Sequence, residues 1–346
     1  FEGAATGVGG CVRDVACMGA RVIGCLDCLR LGDLATQETR SIALEVARGV
    51  AGYANPLGIP NLGGDTVFDR GYNKSCLVNV VTVGIVREDE IIHSYVPEEA
   101  GKVGYDIIII GKATDRSGFG GAAFASITMD EEDAEKNSGA VQEPNPFLER
   151  HILQSTYALF DWLKREKKLH LVSFKDLGAG GVVCASVEQV APLGFGATVE
   201  LTNVHTSIPD LPPQVIACAE TQERFCWICH PSLTSHILKH YNEAWDLPGV
   251  AEKAGASLIG KVHEDPLFTL TYKGEVVCSA MSELITSGLQ YVRPTKELRS
   301  TLSEPNIEYR DGSVTVAGTT LRLETVFTAM LQHPNHASKD CILRHY

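Results

Sequence analysis

The chain has 346 residues, of which 44% are hydrophobic and 21% charged, and a formal net charge of −13. That length exceeds one ordinary domain and allows a large core, while the acidic balance argues against a nucleic-acid backbone as the main partner. No apolar run reaches membrane-spanning length and no signal peptide opens the chain, so its eleven cysteines fit a reducing, cytoplasmic setting in which most are buried thiols.

The first segment, Gly3 to Gly10, carries four glycines in eight positions and runs into a helix-compatible stretch from Cys11 to Met18. A glycine loop feeding a helix presents unpaired N–H groups and the positive end of the dipole to an anion, making Gly7, Gly9 and Gly10 phosphate-loop candidates. Arg13 and Asp14 then fall in the expected first turn, one able to fork onto a phosphate or carboxylate and the other able to hold a hard cation. A structural turn with a surface ion pair accounts for the same residues. A strand over Arg21 to Asp27 and a helix from Gln37 to about Tyr53, capped by Thr36 and stopped at Asn55-Pro56, come next. Gly63-Gly64-Asp65 and Tyr72-Asn73 read as turns around a short strand, and Leu77 to Val86 as a long β-branched strand. These elements make a small α/β unit over 1–95 whose sheet has one uncovered face.

Beyond the charged connector Tyr95 to Gly101, a larger unit over 101–293 opens with the strand Asp106 to Gly111 and a second glycine-rich loop, Thr114 to Ser126. Gly118, Gly120 and Gly121 are its phosphate-loop candidates; the Gly-Lys-Ser/Thr ending of a P-loop is missing. Asp130 to Gly139 reads as a solvated acidic loop, followed by a helix over Phe147 to Lys167 and a strand over His170 to Phe174. That strand delivers Lys175 to Gly181, a third glycine turn, into a helix over Val182 to Val190. Asp176 there is either a metal-binding carboxylate at a strand end or a helix N-cap. Glu220 to Glu223, set between the apolar run Val215 to Ala219 and the strand Phe225 to Cys229, are polar enough to predict a substrate rim. The unit closes with a helix over Ser232 to Ala244 and strands Ala256 to Val262, Leu267 to Tyr272 and Glu275 to Ser279. A linker is expected over Pro294 to Glu308, and a helix begins at Thr320. Cys25/Cys28 and Cys226/Cys229 have zinc or redox spacing, but each pair lies in an apolar strand where residues three apart face opposite sides, so core thiols are the expectation.

These ordered motifs resemble the first half of the phosphoribosylformylglycinamidine synthase (formylglycinamide ribonucleotide amidotransferase) family. The resemblance rests on Gly3 to Gly10 with Val12 to Val15, Gly58-Ile59-Pro60 with Gly63-Gly64, Thr114 to Ser126, Lys175 to Gly181, and Glu220 to Arg224. It implies an α+β, aminoimidazole ribonucleotide synthetase-like fold, in which a small barrel-forming unit precedes a larger α+β unit and 294–346 lead into a second half. It implies an ATP-dependent ligase that phosphorylates the formyl amide oxygen of formylglycinamide ribonucleotide, ammonia then displacing phosphate. By the same resemblance Asp14 and Asp176 match Mg2+ ligands, and Arg13, Gln142, Glu220, Thr221 and Gln222 match substrate contacts. The implied partners are a glutaminase subunit or domain that supplies ammonia, and a second synthetase half or another copy that completes the barrel. The family's histidine lies upstream of Phe1, so this piece is expected to be inactive alone. Asp65, Thr221 and Cys28 depart from the family's usual Glu, Ser and Ser. A ring-closing synthetase or small-molecule kinase of the same superfamily, and a non-catalytic assembly module, are the alternative readings.

Overall fold

The computed structural model describes residues 1–73, 75–121, 141–288, 291–297 and 306–344. The acidic segment Asp130 to Gly139 and the 122–126 part of the second glycine loop lie outside these residues. The chain opens with helix α1 (Glu2–Cys17), strand β1 (Arg21–Leu31), helix α2 (Gln37–Leu57) and strands β2 (Asn61–Phe68) and β3 (Leu77–Ile85). The three strands form a sheet in the order β2-β1-β3, with β1 parallel to β2 and antiparallel to β3. Val78 and Val80 of β3 pack on the core side, while Leu77, Val81 and Ile85, offset by one position, stand exposed. The period-2 alternation of the strand thus leaves one face of this sheet apolar and uncovered.

Two elements differ from the sequence-based expectation. The glycine-rich opening is helix throughout, not a loop, so Arg13 and Asp14 sit near the end of α1 rather than in a first turn. Each helical glycine costs about 1 kcal/mol relative to alanine, a local penalty that burial of Ala4, Ala5, Val8, Val12 and Ala16 along one stripe overrides. Gly9 belongs to the packed side: a Cβ there would lie 2.6 Å from the Tyr53 ring, so its absence lets α1 approach α2. Gly63 and Gly64 lie within β2 rather than in a turn, because β1 passes so close that a Cβ on Gly64 would be 1.8 Å from the Asp27 carbonyl oxygen. Thr36 does cap α2, accepting from the Thr39 N–H, and the helix continues through Pro56 to a left-handed Gly58.

The second sheet contains β4 (Asp106–Gly111), β5 (Val172–Asp176), β6 (Gly196–Glu200), β7 (Arg224–Cys229), β8 (Gly255–His263), β9 (Leu267–Tyr272) and β10 (Glu275–Met281), in the order β10-β9-β6-β8-β4-β7-β5. All neighbours are antiparallel except β6 and β9. Every residue of the central β4 is buried, as expected of a strand covered on both faces. Ile108, Ile110, Phe174 and Trp227 join a core shared with α1, α2 and helix α3 (Pro146–Arg165). Ile107, Ile109, Cys226 and Ile228 face a second core under helix α4 (Gly181–Val190). Cys226 and Cys229 therefore enter different cores, and the ten cysteines among the described residues that can be assigned are all free thiols.

Past residue 306 the expected linker gives way to a meander of β11 (Ile307–Arg310), β12 (Ser313–Val316) and β13 (Thr319–Arg322), followed by helix α5 (Leu323–Gln332). Its two turns, Asp311-Gly312 and Ala317-Gly318, have positive φ at both residues, the geometry for which Asp-Gly is a recognised hairpin signal.

The helical layer is joined to the large sheet by buried polar groups. Arg13 of α1 donates to Glu149 of α3 at 3.2 Å, both side chains fully buried, and its other terminal nitrogen donates to Gln222 just before β7. Tyr53 of α2 donates to Glu223 at 2.7 Å, and Glu223 also accepts from the Asn145 N–H at the start of α3. Burial pushes the Glu149 carboxyl up and Arg13 pulls it back. Removing one partner strands a buried charge, so Arg13→Ala or Glu149→Ala should each cost about 3–5 kcal/mol of unfolding free energy, with the double change to Met and Leu recovering most of it; chemical denaturation of the four proteins measures this. The glycines give a second test. Gly7→Ala, whose new methyl meets nothing within 4 Å beyond its own stretch of helix, should stabilise by roughly 0.5–1 kcal/mol, whereas Gly9→Ala should destabilise by about 1–3 kcal/mol against Tyr53.

Candidate functional site

A cleft of about 580 Å³ lies where α1, the end of β5, the start of α4 and the segment before β7 converge. Gly3, Gly7 and Gly10, at helical spacing, form the α1 wall, and Cβ atoms on them would meet nothing within 4 Å. Gly7 and Gly10 thus serve the cleft by lacking side chains. Their N–H groups lie inside a helix, so the free amides expected of a phosphate loop are not available there, and Gly9 faces α2 instead. In the second glycine segment, Gly118 and Gly120 have positive φ and form a turn, and Gly121 reaches the cleft. A Cβ on Gly118 would lie 2.7 Å from Gln142 and 3.1 Å from Glu220, so the bare turn lets those two residues pack beside it.

Asp14 of α1 and Asp176, the last residue of β5, both line the cleft and their carboxyl groups face one another. Burial and the Asp176 carboxyl push Asp14 up to about 6, against the pull of Arg13 and Lys175. Asp176 does not cap the helix that follows: the N-cap of α4 is Gly180, in the left-handed region and without a side-chain cap. The glycines of this turn are sterically required, since a Cβ on Gly181 would lie 2.5 Å from the Ala219 carbonyl oxygen. Two facing carboxylates are hard oxygen donors suited to Mg2+, which commonly takes one or two carboxylates and fills its octahedron with water and phosphate oxygens. Among the described residues no cluster of three or more His, Cys, Asp or Glu side chains forms a complete metal cage.

Glu220 to Glu223 do not form an exposed rim; all four are buried. Glu220 accepts from Gln142 at 3.1 Å, placing two of the expected substrate contacts together at the cleft edge. Gln222 lines the cleft and accepts from Arg13. Thr221 turns the other way, donating to Asp115 at 2.8 Å and accepting from the Asp115 N–H, so it ties the second glycine segment to the segment that enters β7. Glu223, with φ 55°, is a left-handed non-glycine residue, tolerated because Gly111 opposite has no Cβ to strike its carbonyl.

Arg224 is fully buried and spends its guanidinium on the chain itself: Nε to the Thr221 carbonyl, one terminal nitrogen to Thr114 and the other to the Ala219 carbonyl. Burial lowers it to about 10, still charged at neutral pH, with Asp115 pulling it back up. This clasp, the Glu149 and Tyr53 contacts, and an ion pair between Lys175 and Glu188 in the cleft wall escaped the sequence reading. Glu149 lies on a helix whose visible signal was its apolar stripe, and nothing in linear spacing announces a partner 136 positions away.

With this geometry in view, the family described as "AIR synthase related protein, N-terminal domain" matches residues 1–86, and "AIR synthase related protein, C-terminal domain" matches 102–273. The phosphoribosylformylglycinamidine synthase subunit PurL of Methanothrix thermoacetophila is 45% identical over 348 aligned residues, covering all of this chain and 44% of the relative. A solved structure of Thermotoga maritima PurL complexed with FGAR superposes with a TM-score of 0.71 at 29% identity, covering 95% of this chain and 48% of that one. The same protein complexed with ATP superposes with a TM-score of 0.66 at 28% identity, covering 88% and 45%. The chain thus spans less than half the length of the relatives it matches. The chain belongs to the AIR synthase related protein family.

Proposed function

We propose that the chain forms part of an ATP-dependent carbon–nitrogen ligase that converts formylglycinamide ribonucleotide, ATP and glutamine-derived ammonia to formylglycinamidine ribonucleotide, in de novo purine biosynthesis in the cytoplasm. The observation that carries this reading is the facing pair Asp14 and Asp176 in a cleft whose α1 wall is opened by the bare positions Gly3, Gly7 and Gly10. The relatives described as PurL, and the neighbours complexed with FGAR and with ATP, support the same substrates. No helix among the described residues is long and apolar enough to cross a membrane.

Phosphoryl transfer asks a protein for positioning and for stabilisation of spreading negative charge. In this reading Asp14 and Asp176 hold Mg2+, which when bound neutralises phosphate charge. Gln142, Glu220 and Gln222 orient the ribonucleotide. Arg13 acts on the ligand through its neighbours: its terminal nitrogens hold Glu149 and Gln222, and Gln222 lines the cleft. Thr221 acts on the site only through the loop it ties to Asp115. We divide the chain into a small unit over 1–95, a larger one over 101–293 and a lead into a second half over 294–346. The exposed apolar residues Leu77, Val81 and Ile85 are the surface on which that second half, or another copy, completes a barrel. A glutaminase subunit or domain supplies the ammonia.

Calorimetric titration with formylglycinamide ribonucleotide in the presence of Mg2+ tests the assignment. Binding should be seen with this chain and lost with Gly7→Leu, which fills the cleft without entering the core; equal binding by the two proteins would rule the cleft out. Metal dependence has a signed expectation. Asp14 sits above its ordinary value of about 3.9 in the folded chain, so without metal its favourable contribution is complete at low pH and is lost as pH rises through about 6. Mg2+ should therefore raise Tm above pH 6 and have little effect near pH 4.5. Asp14→Asn should raise the metal-free Tm at pH 7.5 and abolish the response to Mg2+; scanning calorimetry at both pH values reads all of these outcomes.

A further inference from the structure

Among the described residues, the charges that line the cleft do not match an anionic ligand. Asp14, Asp176 and Glu188 bring three carboxylates to its walls. Among the described residues the cations there are Arg13, fully buried and already spent on Glu149 and Gln222, and Lys175, whose side chain keeps 26% of its exposure. Lys175 immediately precedes Asp176 on β5, so the strand fixes its backbone beside the carboxylate pair, and both Asp14 and Asp176 feel its charge. Its ammonium contacts Glu188 of α4 at 3.0 Å, and Glu188 is the more exposed partner at 44%.

We propose that Lys175 is a specificity-determining anion contact of this cleft, held on Glu188 in the free protein and handed over to a phosphate group when a phosphorylated ligand enters. The inference rests on the ribonucleotide reading given above and names the residue that selects the ligand's charge. Three features support the exchange. A half-exposed lysine–glutamate pair is only weakly stabilising, so breaking it costs little. A lysine carries a compact charge on a flexible stem and can change partners without moving the strand, which a forked arginine locked in two directions cannot do. A phosphate offers more charge and more acceptor atoms than one carboxylate, and charge-assisted contacts to it are correspondingly stronger. Glu188 in this scheme is a competing anion: it keeps the empty cleft from trapping stray anions by occupying the lysine.

That competition gives the two partners opposite signs, which a merely structural ion pair would not. In calorimetric titrations of the chain with formylglycinamide ribonucleotide and Mg2+, Lys175→Gln should bind about 10- to 100-fold more weakly. Glu188→Gln should bind roughly two- to fivefold more tightly, and raising the salt should weaken wild type more than Lys175→Gln. Melting temperatures of the variants, measured alongside, should stay within a few degrees of wild type. Inorganic tripolyphosphate serves as a second probe. If the ribonucleotide binds and Lys175→Gln changes nothing, or if Glu188→Gln weakens binding as much as Lys175→Gln, the inference is overturned while the ribonucleotide reading stands. If only tripolyphosphate binds, and binds through Lys175, the anion contact stands and the ribonucleotide reading fails. If neither probe binds, both fail.

Discussion

The buried contact from Arg13 to Glu149 and Gln222 is the constraint on which the rest of the arrangement depends. It ties a residue of the first helix to the helix that covers the large sheet and to the loop that enters that sheet's β7 strand. A charge with no access to water tolerates almost no displacement, because each lost hydrogen bond leaves a desolvated group unpaired. The pair therefore fixes α1 in depth and rotation against the sheet. Asp14, the next residue along, is thereby carried to the side facing β5, where it meets Asp176. The two carboxylates come from elements 162 positions apart in sequence, and their mutual repulsion is sustained by the packing on which Arg13 insists.

The glycines of α1 show how one helix serves two surfaces. Gly9 points toward α2 and allows the Tyr53 ring to lie against the helix backbone, and Tyr53 in turn reaches Glu223. Gly3, Gly7 and Gly10 point the other way and leave room for a ligand. Close packing on one side makes the helix rigid, and the missing side chains on the other keep its rigid wall open. A helix richer in alanine would be more stable in isolation and would close the cleft.

Much of this was legible in the sequence, and the failures have physical causes. The strands of the large sheet and the helices α3 and α4 carried the periodicities and punctuation that local reasoning reads well, as did Thr36 as the cap of α2. Asp14, Asp176, Gln142, Glu220 and Gln222 were singled out and do converge on one cleft, or its edge. The opening glycines were misread because helix propensity is a weak local preference that burial of Ala4, Val8 and Val12 against α2 overrides. Gly63 and Gly64 were misread for a related reason: their cause is the nearness of another strand's backbone, which the sequence does not display. The Asp311-Gly312 hairpin is different, since its turn signal is present in the sequence but sits inside a stretch of thin hydrophobic pattern. Four polar residues at Glu220 to Glu223 suggest a substrate rim, whereas the chain buries them with partners inside, Gln142, Asp115, Arg13 and Tyr53.

That last error points to how the site is built. Four consecutive polar residues are buried together at the entry to β7, and each is turned by a different restraint: Glu220 by Gln142, Thr221 by Asp115, Gln222 by Arg13, Glu223 by Tyr53 and Asn145. Arg224 then closes the segment on its own carbonyls, which lets a left-handed residue at Glu223 persist without a glycine. Such a segment has few alternative conformations, so the groups it shows to the cleft are fixed before any ligand arrives, and little ordering entropy is left to lose on binding. The cleft's electrostatics are the complement of this rigidity. Among the described residues its fixed groups are acidic or neutral, its arginine is buried on Glu149 and Gln222, and its remaining cation is Lys175, paired with Glu188. Under the proposed ligase reading, an acidic cleft makes binding of a phosphorylated ligand conditional on a cation, so neither is held well alone.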